Sequence, residues 1–315
     1  MARRNSTDRG SRTSKVLDVR LQAGEYLLPG HYQPTSRRAV GQNLSVRREV
    51  LSPVHQEGNA PVDSWEPELL RLTGFTTGEV DGESWWPEVA ATPIEEETKN
   101  LREGTYQASG PLTGDDGSEN VLTLRLTQGR VDWLQKPREE PENPLWRTMG
   151  SLESALPAFI ALMQPWLSRV DADFSRLALG VIARRTVESR ESGYRILSQY
   201  LPFDLPASAT DLMYRINRPR ASRALGDSTL VNRLQTWSVV ALKLVRVTIA
   251  IRPNVTEQPA ADVASPSSLE HACRLELDIS TAAEREGLLP RGRRTDVLAE
   301  FAELALEIAN QGDIP

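Results

Sequence analysis

The chain has 315 residues, 39 % apolar and 25 % charged, a soluble globular balance with length for one large domain or two small ones. Glycine and proline total 41 residues, there is one cysteine, and no run of 18 apolar residues occurs. These figures exclude collagen-like chains, a transmembrane helix, an intramolecular disulfide framework and a multi-cysteine zinc site.

Charge is unevenly placed. Only Lys15, Lys99, Lys136 and Lys243 are lysines among the 37 basic residues, and the net charge is −6. Residues 1–48 hold ten basic and three acidic residues, so a basic arm of +7 precedes a body of about −13. Such an arm is the place for any nucleic-acid contact, but it lacks interleaved aromatics, and an acidic body repels phosphate. A solvated tail is the expectation. Basic residues near Met1 are followed by no apolar core segment, which argues against a secretory signal and for a cytoplasmic protein with Cys273 reduced. The sequons at Asn5, Asn43 and Asn254 are then chance matches.

Three regions follow from composition. Residues 1–18 read as a disordered basic tail, 19–118 as a loop-rich region with short strands, and 119–315 as an α+β core domain. Within the second region Trp65, Trp85 and Trp86 sit among acids. Two expectations compete there: an exposed partner-docking cluster, since Trp dominates interface hot spots, or indoles that lock a loop-rich layer onto the core. Glu95-Glu96-Glu97 reads as the start of a helix-like segment, where carboxylates suit the dipole.

From residue 119 the patterns sharpen. Val121–Thr127 alternates with period 2, Gln128-Gly129 turns the chain, and Arg130–Leu134 returns as a hairpin. Residues 136–145 carry three prolines and read as a linker. Leu152, Leu156, Phe159, Ile160, Met163, Trp166, Leu167 and Val170 trace one helical face, with Ser151 as N-cap and a kink or shortening expected at Pro157 and Pro165. Leu177–Arg184 reads as a buried strand, Tyr194–Tyr200 as a short helix and Leu212–Asn217 as a strand. Ser238–Ile251 is a long apolar strand with a bulge expected near Leu244-Val245. Residues 253–268 read as a surface loop and Cys273–Ile279 as a half-buried strand. The last helix carries Val297, Leu298, Phe301, Leu304, Ala305 and Ile308 on its apolar face, begins at Thr295 or Asp296 and ends at Asn310 to Gly312. Its Glu300, Glu303 and Glu307 read as a solvated side. Strands do not alternate one-for-one with helices. An antiparallel sheet of about six or more strands covered by helices is therefore expected, with an irregular N-terminal region.

Chemistry-bearing motifs are sparse. No nucleophile elbow, phosphate loop, dinucleotide fingerprint or zincin motif occurs, and His31, His55 and His271 lack metal-ligand spacing. No catalytic residue, metal or cofactor is assigned. Cys273 opens an apolar strand face and reads as a packing residue rather than a nucleophile. One constellation is specific. Arg274, Glu276 and Asp278 share a strand face, while Arg184, Arg215 and Arg246 lie on other strands. Were these faces to line a cup, Arg184, Arg215, Arg274, Glu276 and Asp278 would suit a polyphosphate and Mg²⁺. The alternative is the wet face of an antiparallel sheet with cross-strand ion pairs. Arg291-Gly292-Arg293-Arg294 is a second basic run, read as a loop.

Residues 119–310 carry a further pattern. Asn120–Leu124 and Arg130–Trp133 precede a helix with Trp146 ahead of it. Then come Val181–Arg185, Tyr200-Leu201-Pro202, Ile216–Arg220, Leu275–Ile279 and a closing amphipathic helix. This pattern is similar to a sporadically distributed bacterial family of α+β proteins without established activity. The resemblance implies a bacterial cytosolic protein and carries over no catalytic residue. The leading expectation is a non-enzymatic interaction protein. It would present residues 60–90 or an open strand edge to a protein partner, possibly a second copy of itself, with no membrane contact. The other expectation is a phosphate- or nucleotide-binding protein, in one form a metal-dependent hydrolase, using the arginine-lined sheet face.

Overall fold

The computed structural model describes residues 15–22, 64–78, 80–114, 117–139, 147–206, 208–249, 262–263 and 269–313. Most of the basic arm, the sequons, His31, His55, Trp146 and most of the 253–268 loop lie outside the described residues, as do the side chains of Arg246 and its neighbours. The elements run in order as β1 (Lys15–Gln22), β2 (Glu66–Thr76), α1 (Trp86–Val89), β3 (Glu96–Asn100), β4 (Thr105–Thr113), β5 (Glu119–Thr127) and β6 (Arg130–Pro137). After these come α2 (Leu152–Arg169), β7 (Phe174–Val187), α3 (Arg190–Leu197), β8 (Met213–Asn217), β9 (Arg220–Ser222) and β10 (Gly226–Ile249). The chain closes with β11 (Asp262–Val263), β12 (Leu269–Thr281) and α4 (Arg294–Gln311).

Among the described residues, twelve strands form one antiparallel sheet in the order β1-β10-β12-β7-β2-β6-β5-β4-β3, with β8, β9 and β11 also on β10. This is the α+β architecture the strand pattern predicts. The boundary expected at residue 118 falls between β4 and β5, which are adjacent strands of one sheet, and β2 lies at its centre between β7 and β6. The boundary expected at residue 18 falls inside β1. Period-2 reading is weak in β2 because a bulge between Pro67 and Leu69 inserts a residue and breaks the alternation.

All four helices lie on one sheet face. Trp133 of β6, Leu275 of β12, Leu72 of β2 and Ala183 of β7 point towards them and are fully buried with Phe159, Met163, Phe301 and Leu304. Helix α2 runs unbroken through Pro157 and Pro165 instead of shortening. Both prolines are exposed, so the carbonyls four residues back reach water while the opposite apolar face holds the helix on the sheet. The bulge expected near Leu244 is not there. The β1–β10 register is continuous from Leu242 to Ile249, and the irregularity of β10 lies between Gly226 and Leu230.

The register reveals an internal two-fold relation. Helices α2 and α4 each have 18 residues and start 142 positions apart. The same displacement carries the core residues Val131, Trp133 and Gln135 of β6 onto Cys273, Leu275 and Leu277 of β12. Their partners then map Leu70 onto Val181 and Leu72 onto Ala183, and Leu70 pairs with Val181 directly. The pair Arg71–Gly180 maps onto Ile182–Leu69, which is also present. The molecule is thus two copies of one strand-helix-three strands-helix unit, with strand orders β2-β6-β5-β4 and β7-β12-β10-β8, joined through a pseudo-dyad at Leu70 and Val181.

Candidate functional site

The five polar residues singled out from the sequence share the sheet face turned away from the helices. Arg184 is opposite Arg274, Glu276 is opposite Ile182 and Thr236, and Asp278 is opposite Gly180 and Leu234. Arg215 on β8 faces Thr236 of β10. Two strand spacings of about 5 Å each therefore separate Arg215 from Glu276. The arginines are also matched by an acid that pattern reading missed. Glu68, displaced by the β2 bulge, approaches Arg184 Nε at 3.6 Å and Arg274 at 3.9 Å, and Arg274 Nε reaches Glu276 at 2.9 Å. Burial raises the Glu68 carboxyl above its ordinary range, opposed by the guanidiniums of Arg274 and Arg184. Two cations and two carboxylates balance. Arg71 lies over Gly180, where a Cβ would come within 3.1 Å of its Nε. The arrangement is a cross-strand ion-pair face, not a cup lined by free arginines. Among the described residues no three metal-ligating side chains converge.

The exposed aromatic docking cluster is overturned. Trp65, Trp85 and Trp86 are 2 %, 7 % and 2 % exposed. Trp85 packs edge-on against Trp166 at 5.5 Å, Trp86 lies 6.1 Å from Trp133, and Trp65 contacts Tyr200 and Trp237, each at 5.7 Å. Aromatic burial outweighs the acidic neighbours, whose carboxylates turn to solvent while the rings turn inward. The indoles thus lock residues 65–90 onto the sheet. Glu96 and Glu97 belong to strand β3 rather than a helix start.

Cys273 is buried, its Sγ 3.4 Å from the Gly193 carbonyl, and burial pushes the thiol up to about 12. A thiol held neutral packs and does not attack. The run before α4 is consumed internally. Arg291 binds Asp171 and Asp173, Arg293 donates to the Ala224 carbonyl, and Arg294 is buried with its guanidinium 4.8 Å from the Phe174 ring centre. The supposed wet side of α4 is a polar interface. Glu300 is buried and accepts from Ser222 Oγ and the Arg223 and Ala224 amides at 2.8, 2.8 and 3.1 Å, while Arg220 grips Glu307 through both nitrogens.

The most elaborate polar construction lies at the end of α4 and beside β8. Gly312 closes the helix at φ +82, where a Cβ would stand 2.2 Å from the Tyr200 carbonyl oxygen. The Asp313 amide donates to that carbonyl at 2.8 Å. Its carboxylate accepts from Arg218 Nε at 2.5 Å, from the second Arg218 nitrogen at 2.8 Å, from Tyr214 Oη at 2.6 Å and from Gln235 Nε2 at 2.8 Å. Arg218 above all, then Tyr214 and Gln235, hold the Asp313 carboxyl below its ordinary range although burial acts against them. Trp237 Nε1 donates to Gln235 Oε1 at 3.0 Å, so this clasp is tied to the aromatic core. The only signal for it in the sequence is Gly-Asp directly after the last helical residue.

The clasp fixes Tyr214, the second residue of β8, and β8 is paired with β10 alone. Its Met213, Arg215 and Asn217 are exposed in alternation with the half-buried Tyr214 and Ile216. In the other half the equivalent strand, β4, is covered by β3. Phe203 stands beside the β8 edge with its ring 5.2 Å from Tyr214. Met213 is 60 % and Phe203 41 % exposed. No described helix is long and apolar enough to cross a membrane. Comparison with protein-family models, with curated proteins and with solved structures finds no match for this chain, so no residue role is carried in from a relative.

Proposed function

We propose that the protein is a cytosolic interaction module, and that the outer edge of β8 receives an extended segment of a partner polypeptide. The observation that carries this is the mismatch between the halves. Strand β3 occupies the edge of β4, while the corresponding edge of β8 is unpaired among the described residues. An unpaired edge offers a row of main-chain donors and acceptors, from which strand addition draws affinity, while alternate side chains give specificity. Clasping of Tyr214 by Asp313 holds that edge in a strand conformation before any partner arrives, which lowers the ordering cost of binding. Exposed Met213 and Phe203 supply apolar contact. The polyphosphate reading has less support, because Glu68 and Glu276 already neutralise Arg184 and Arg274.

A photo-crosslinking residue at Met213, compared with one at the more exposed Leu101, tests the proposal in host cells. Crosslinks to a polypeptide at position 213 and not at 101 support it. Equal or absent crosslinks overturn it, as does a turnover reaction abolished by Arg215→Ala or Glu276→Gln.

A further inference from the structure

We infer that the segment received by β8 is an acidic one, with a carboxylate flanked on both sides by apolar residues. This rests on the edge reading above and names the partner's chemistry. Arg215 is the central residue of β8 and exposed, and no carboxylate among the described residues lies within 4 Å of its guanidinium. Neighbouring arginines differ: Arg218 is held by Asp313, Arg220 by Glu307, Arg223 by Glu303 and Arg190 by Glu191. An added strand places one side chain directly opposite Arg215, and opposite charges there are favourable while like charges are not. The same rule disfavours a second copy. Antiparallel pairing of β8 with its own copy over all five residues sets Arg215 against Arg215.

The residues on either side of the central one point to the other sheet face. There they meet a ledge of Tyr214, Ile216 and Phe203, the last with its ring edge-on to Tyr214. Period-2 alternation therefore reads the bound segment as apolar, acidic, apolar. Met213 and Asn217 flank Arg215 on the polar face and impose no charge of their own.

The probes are fluorescent nine-residue peptides with a Val-Glu-Val, Val-Gln-Val or Val-Lys-Val centre, titrated by anisotropy against the full chain. The Glu peptide binds about fivefold tighter than the Gln peptide, the ratio expected for one favourable cross-strand charge pair, and the advantage shrinks with salt. The Lys peptide binds weakest. With Arg215→Glu the order inverts, and Lys becomes the preferred centre. Equal binding of the three peptides, or an order unchanged by Arg215→Glu, overturns the inference. A concentration-dependent dimer that excludes the peptides overturns it too, and assigns the edge to a second copy. Position-213 crosslinks that persist without the charge preference leave the edge reading standing. Loss of both removes the two together.

Discussion

The two halves of the molecule share a topology and differ at their outer edges and in what packs around their long helices. In the first half the chain between the short helix and β4 forms β3, which pairs with β4 and closes the edge with Glu96, Glu97 and Lys99. In the second half the corresponding stretch places Phe203 against Tyr214, and no strand among the described residues pairs with the outer edge of β8. Beneath α2 the contact is aromatic, with Trp166 touching Trp85, Trp133 and Phe174. Beneath α4 the contact is aliphatic apart from Phe301, and the helix adds a polar flank where the β8–β9 segment bonds to Glu300, Glu307 and Asp313. Both units thus bury an apolar helix face, and the first also finishes its own sheet with β3. The other fixes an edge strand by directional bonds, and that edge is unpaired among the described residues. Hydrogen bonds and ion pairs position a strand more specifically than apolar packing does, which suits an edge that has to be presented in one geometry.

That contrast can be broken from either side. The largest effect is expected in the aromatic half. Trp166→Ala removes the shared ring of three contacts and costs about 4 kcal/mol, read as a lowered denaturation midpoint. Asp313→Ala strikes the other half. It leaves Arg218, Tyr214 and Gln235 without their common acceptor and costs about 3 kcal/mol, with faster hydrogen exchange at β8 than at β5. The Asp313 carboxyl is lowered in the folded state, so its contribution is complete above the ordinary aspartate range. It is lost as pH falls through the lower folded value, and Asp313→Asn removes that part of the acid dependence of stability. A loss confined to high pH would contradict this sign.

The smallest effect sharpens the comparison. Thr98→Pro deletes a main-chain donor in the middle of β3 and costs about 1 kcal/mol or less. Exchange is expected to rise at Tyr106–Ser109 of β4, with β8 unaffected and the β4 edge becoming as open as its counterpart.

Much of the fold is legible in residue order. The hairpin at Val121–Leu134 is visible because leucines alternate up to a glycine that turns at φ +72. Helix α2 shows its core face from Leu152 to Leu167 without ambiguity. Strand β2 is hidden by its bulge, and the first twelve residues of β10 are hidden because Asn232, Arg233 and Gln235 look like loop although Arg233 and Gln235 are buried. The shared face of Arg184, Arg274, Glu276 and Asp278 follows from parity. Their neutralisation does not, because Glu68 lies more than 100 positions away and reaches them only through the β2–β7 register.

By itself the sequence determined the fold class and most of the elements, since hydrophobic periodicity is a local property of consecutive residues. Tertiary structure alone decided which tryptophans are buried, which arginines are neutralised, where Asp313 lands and which strand edge is unpaired among the described residues. Each of these depends on pairing between distant segments, and a strand's own pattern specifies the face it buries but not the neighbour it finds.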